Sequence, residues 1–88
     1  MKNNNEYFWN HRVIQHVCPR LTSPPEIYYQ IHEVHYRKGK PIMWTQDPIP
    51  VGGDDIKSIR WVLKMMNKCL KKPILKIVGK KRQKLVEI

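Results

Sequence analysis

Cysteines, acidic residues and long apolar runs are scarce in this chain of 88 residues, and each scarcity excludes a class of protein. Two cysteines cannot build the disulfide framework of a small secreted domain, so we expect two reduced thiols. No apolar run approaches the roughly 20 residues that a transmembrane helix needs. The first residues also lack the apolar stretch of a signal peptide. We therefore expect a cytoplasmic protein without a membrane span.

Acidic residues are scarcest in the last third of the chain. The whole sequence has seven acids against 17 Lys and Arg, which gives a formal net charge of +10. Cations and acids balance over residues 1–56, whereas residues 57–88 contain eleven cations and one acid, Glu87. A charge so one-sided favours association with an acidic partner, either nucleic acid or an acidic protein.

Aromatic and β-branched residues predict three strands in the first half of the chain. The first covers residues 8–18 and ends before Pro19, because proline has no N–H to donate to a neighbouring strand. The second covers residues 27–36, and the turn at 37–40 leads into a short return strand over 41–46. Gly39 suits this turn because glycine tolerates a positive φ.

One helix is predicted after the proline- and glycine-rich loop at 47–53. Asp54 and Asp55 offer an N-cap, and Pro73 ends the helix. Apolar residues at steps of three and four define its expected buried face. They are Ile56, Ile59, Leu63, Met66 and Leu70.

This order of elements predicts an α+β fold with a three-stranded antiparallel sheet and one amphipathic helix packed on one face. Residues 1–78 are expected to form a single compact domain, in which residues 74–78 add a short strand or a further turn. Residues 79–88 are expected to be a flexible basic tail. Because both faces of the strands carry apolar residues, we expect the second face to meet the tail, a second copy or a ligand.

No motif of an active site or a metal site is present. The serines lie in no nucleophile elbow, and the chain has neither a Cys-x-x-Cys pair nor a His-Glu-x-x-His helix. A zinc site assembled across strands from His16, Cys18 and His32 is the one alternative left open. We expect no enzyme, no cofactor and no metal, and no small-molecule substrate is evident.

Three runs resemble a family of short bacterial proteins without an assigned function. They are Trp9-Asn10-His11-Arg12-Val13, Tyr29–Tyr36 with Gly39-Lys40-Pro41, and Lys72-Pro73-Ile74-Leu75. The resemblance covers roughly residues 7–75 and implies a compact α+β domain built on a small antiparallel sheet. It brings no activity and no ligand, so it assigns no functional residue to this chain.

Charge and helical spacing together predict a non-catalytic nucleic-acid-binding accessory protein that uses a lysine-rich helix face. The candidate phosphate contacts are Lys57, Arg60, Lys64, Lys68 and Lys71 on the helix, and Lys80, Lys81 and Arg82 in the tail. Tyr28, Tyr36 and Trp44 are candidates for stacking on unpaired bases. The alternative is a protein–protein interaction module or a homodimer that uses the open sheet face.

Overall fold

The predicted strands and helix are present in the computed structural model of the protein, which describes residues 6–88. Two further strands follow the helix. The elements are β1 (Tyr7–Cys18), β2 (Glu26–Arg37), β3 (Lys40–Trp44), α1 (Ile56–Cys69), β4 (Leu75–Val78) and β5 (Lys84–Glu87). No helix among these residues is both long and apolar enough to cross a bilayer.

The sheet is mixed and five-stranded, in the order β3-β2-β1-β4-β5, so the prediction of a three-stranded antiparallel sheet is wrong. β4 pairs with β1 in parallel, and β5 pairs with β4 antiparallel. The helix returns the chain across the sheet, which allows a parallel pair that no short turn can make. The segment 79–88, expected as a loose tail, thus contributes an edge strand.

Two hairpins form the larger part of the sheet. β1 and β2 pair over twelve residues each, from Tyr7 opposite Arg37 to Cys18 opposite Glu26. β2 then turns into β3 through Lys38 and Gly39, which have φ values of 54° and 77°. Two consecutive positive φ values match a type I′ turn, whose twist suits a two-residue hairpin.

The apolar core lies on the sheet face that carries the even-numbered residues of β1 and β2. Its buried members are Ile14, Val34, Tyr36, Leu75 and Leu85, with Trp44 and Ile77 packed against them. The two edge strands β3 and β5 approach each other within 8 Å between Cα atoms. The sheet therefore curls around this cluster, which the right-handed twist of strands favours.

A buried polar network adjoins the core. Arg12, which is 8% exposed, donates from Nη1 to the Tyr36 hydroxyl over 3.0 Å and from Nη2 to the Pro73 carbonyl over 2.7 Å. The Tyr36 hydroxyl donates in turn to Asn10 Oδ1 over 2.8 Å. Because Pro73 lies just before β4, Arg12 fastens the end of the crossover to β1. The guanidinium group of Arg12 therefore lies inside the protein, where external anions do not reach it.

The helix begins as predicted but buries a different side. The Asp55 carboxylate accepts a hydrogen bond from the Ser58 N–H over 2.8 Å, and this bond lowers the pKa of Asp55. α1 packs against β1, with Met66 and Cys69 buried. Val62 and Met65 are half-buried.

The predicted apolar face of the helix is therefore wrong at Ile56, Leu63 and Leu70, which are 62%, 50% and 65% exposed. Around the helix axis, the centre of the buried side lies roughly 80° from the centre of the predicted apolar face, at 100° per residue. The predicted and the observed buried faces both have helical spacing, because apolar residues cover most of the circumference of this helix. The small Cys69 on the buried stripe permits close approach to β1, and its burial raises the pKa of the thiol.

Candidate nucleic-acid interface

Four cations along α1 and a fifth in the turn just after it form a continuous ridge, which we call the basic ridge. Its members are Lys57, Arg60, Lys64, Lys68 and Lys71, and all five are exposed. The sequence predicts Lys71 on the helix, but α1 ends at Cys69. At 100° per residue the four members on α1 span an arc of about 80°, centred roughly 160° around the helix from the buried side. Successive members are three or four residues apart, or about 4.5 to 6 Å along the axis. The packing of α1 on β1 therefore directs the whole ridge to solvent.

The charge of the ridge is not neutralised by neighbouring acids. Within residues 6–88 the ion pairs are Arg20 with Glu26, and His35 with Glu33, and all four residues precede the helix. Asp55 lies at the start of α1, but its carboxylate is engaged by the Ser58 N–H. Like charges at i,i+4 on a helix destabilise it by about 0.2 to 0.5 kcal/mol per pair. Repulsion within the ridge therefore lowers the stability of the helix slightly, and binding of an external polyanion would remove this repulsion.

The three cations expected in a flexible tail lie instead at the tip of the β4–β5 hairpin. Lys80, Lys81 and Arg82 occupy the turn between the two strands and are exposed. Gly79 enters this turn with a φ of 97°, and a Cβ there would lie 2.5 Å from the Arg82 carbonyl oxygen. Only glycine fits this position without strain, so the shape of the hairpin tip depends on Gly79.

The three predicted stacking residues differ in accessibility. Tyr36 is 4% exposed, its ring stacks on Phe8 at 4.5 Å, and its hydroxyl belongs to the Arg12 network. Tyr36 is therefore a core residue, and its ring is not accessible for stacking on a base. Trp44 is half-buried and packs against the core. Tyr28 is 39% exposed on β2, where its ring stacks on His16 at 5.1 Å.

An aromatic residue outside the predicted stacking set lies beside the ridge. Trp61 is 53% exposed and lines a groove of about 400 Å³ together with Lys57, Ser58 and Val62. The signal was present in the spacing, because Trp61 is four residues after Lys57 and three before Lys64. Side chains that far apart are neighbours on a helix surface.

A histidine pair lies on the core face of the sheet. The Nε2 atoms of His16 and His32 are 2.9 Å apart, and His32 Nδ1 is 2.8 Å from the Thr45 carbonyl oxygen. A carbonyl can only accept, so this Nδ1 carries the proton and His32 Nε2 offers a lone pair to His16. Cys18 is exposed, and residues 6–88 contain no group of three metal-ligating side chains. The histidines of the zinc alternative meet, but they form a hydrogen-bonded pair without a third ligand.

This pair makes stability depend on pH. Burial, followed by the repulsion that a protonated His32 would exert, lowers the pKa of His16 below its ordinary value of 6.5. The folded state therefore binds a proton at His16 less readily than the unfolded state does. The contribution of His16 to stability is complete above pH 6.5 and is lost as the pH falls through the lowered pKa.

We expect the melting temperature to fall between pH 7.5 and pH 5, and to fall less in His16→Gln, measured by circular dichroism. His35→Gln is the matched control, because His35 lies on the same sheet and is paired with Glu33 over 2.8 Å. If wild type and His16→Gln lose the same number of degrees, His16 does not carry this dependence.

Comparison with known proteins adds no relative: no family model, no curated protein and no solved structure matches the chain at a significant level. The resemblance drawn from the sequence therefore stays a prediction.

Proposed function

We propose that this protein is a non-catalytic nucleic-acid-binding protein that contacts phosphates through the basic ridge of α1. One observation carries the proposal. Four exposed cations follow the solvent side of α1, a fifth follows in the turn after it, and none has an acidic partner within residues 6–88. The exposed cations at the tip of the β4–β5 hairpin add attraction for the same polyanion.

The dimensions of the ridge suit a phosphate backbone. From Lys57 to Lys68 the ridge extends for roughly 16 Å at 1.5 Å per residue. Duplex DNA carries about ten phosphate charges over that length, at one charge per 1.7 Å, so phosphates outnumber the ridge cations. Lysine acts here as a point charge and reads no base edge. Binding is therefore expected to depend weakly on sequence, with a Kd on the order of 10⁻⁴ to 10⁻⁶ M at physiological salt.

The test is a titration of fluorescently labelled oligonucleotides with the protein, followed by anisotropy at roughly 50 to 300 mM salt. Each phosphate contact releases condensed counterions, so log K is expected to fall linearly with log salt. Four or five contacts predict a slope of about −3 to −4.5. An excess of the same unlabelled oligonucleotide should displace the labelled one, which excludes binding through the dye.

Absence of binding at 50 mM salt, or binding without a salt dependence, would overturn the proposal. The alternative, an interaction module or homodimer, would then be favoured by the odd-numbered face of β1 and β2. Large side chains on that face are 43% to 55% exposed: Tyr7, Trp9, Val17, Ile27 and Tyr29.

A further inference from the structure

The groove beside the basic ridge has the composition of a stacking site for a base. Trp61 exposes 53% of its surface there, and half-buried Ser58 and Val62 lie beside it. Long side chains on a helix lean toward its N-terminus, which directs the Trp61 ring over the turn that contains Lys57 and Ser58. A flat aromatic ring therefore borders an open groove of about 400 Å³.

Cations lie along one side of this ring on the helix surface. Lys57 lies four residues before Trp61, Lys64 three after and Lys68 seven after. All four side chains fall within an arc of about 60°. A row of positive groups beside an exposed aromatic face is the combination that binds single strands, because the cations hold the backbone while the ring stacks on a base.

We propose that Trp61 stacks on an unpaired base, so that the preferred ligand of the basic ridge is single-stranded nucleic acid. This inference rests on the proposed function and adds the class of nucleic acid. A duplex offers the ridge only its phosphates, because its bases are already stacked on one another. A single strand offers both phosphates and an accessible base, so it gains the contact with Trp61 that the duplex lacks.

The test compares a 12-nucleotide oligothymidine with a 12-base-pair duplex at about 100 mM salt, using wild type, Trp61→Ala, Trp61→Phe and Trp9→Ala. Stacking on one base corresponds to roughly 5- to 150-fold in affinity. Trp61→Ala is therefore expected to weaken oligothymidine binding by a factor in that range and to leave duplex binding unchanged. The salt slope should also stay the same, because no phosphate contact is removed.

The two other variants separate stacking from general effects of losing a tryptophan. Trp61→Phe should recover most of the oligothymidine affinity, since it keeps an aromatic face. Trp9→Ala should bind as wild type does, because Trp9 is 43% exposed on β1 and not on the helix. Circular dichroism checks that each variant is folded.

The outcomes separate this inference from the proposed function. If wild type binds neither oligonucleotide, the proposed function fails and this inference fails with it. If wild type binds both with the expected salt slope, and Trp61→Ala loses nothing or loses the same factor on both, only the stacking site is overturned. A loss confined to oligothymidine, recovered by Trp61→Phe, supports it.

Discussion

Reversing three charges at the start of the basic ridge is expected to reduce nucleic-acid affinity on the order of 10³-fold at 50 to 100 mM salt. The variant is Lys57→Glu with Arg60→Glu and Lys64→Glu. It removes three of the five phosphate contacts and places negative charge next to the remaining two. Each lost contact should also reduce the steepness of the salt dependence by about one unit, so the slope should become shallower by about 3. Anisotropy titrations at several salt concentrations measure both quantities.

The loss would not come from unfolding of the helix. Negative charge in the first turn of a helix interacts favourably with the helix dipole, which favours Glu at position 57. Glu at position 64 also forms a favourable i,i+4 pair with Lys68, where wild type has two like charges. The variant helix should therefore be at least as stable as that of wild type, and its melting temperature checks this.

A matched control separates position from net charge. Arg37→Glu with Lys38→Glu and Lys40→Glu changes the net charge by the same amount, at the exposed turn between β2 and β3. If the ridge is the contact surface, this control retains most of the affinity of wild type. An equal loss in both variants would mean that binding follows total charge, and the ridge would lose its special role.

The parts of the fold that the sequence predicts correctly are set by residues close together in the chain. The β2–β3 turn needs two positive φ values, and Gly39 supplies one of them at no steric cost. The start of α1 is set by Asp55, which bonds a backbone N–H three residues later. The basic ridge is equally local, because its cations recur at helical spacing and no acid interrupts them.

The parts that the sequence predicts wrongly depend on partners far along the chain. A short strand over 74–78 is one of the two predicted alternatives and is present as β4, but neither segment indicates by itself the parallel pairing with β1, with Leu75 opposite Ile14. Tyr36 and Trp61 show the same limit in the candidate site. Tyr36 is predicted as a stacking residue but is buried by its long-range contacts, whereas Trp61, which is outside the predicted stacking set, is exposed.

Residues 79–88 are where the sequence and the structure disagree most. Gly79, Lys80, Lys81 and Arg82 have the composition of a solvated tail, and only four residues, Lys84–Glu87, form β5. Pairing with β4 nevertheless buries Leu85, which is 6% exposed within the core cluster. If this segment were a tail, Leu85 would contribute nothing to stability.

Leu85→Ala is therefore expected to reduce the free energy of unfolding by about 2 to 5 kcal/mol, the usual cost of a large-to-small change in a core. Leu21→Ala is the matched control, because Leu21 is fully exposed and the same substitution there should change stability by no more than about 0.5 kcal/mol. Urea unfolding followed by circular dichroism measures both. Domains of this size are stable by roughly 5 to 13 kcal/mol, so Leu85→Ala removes a large share of the total. If the two substitutions have equal, small effects, residues 79–88 behave as a tail and β5 contributes nothing to the core.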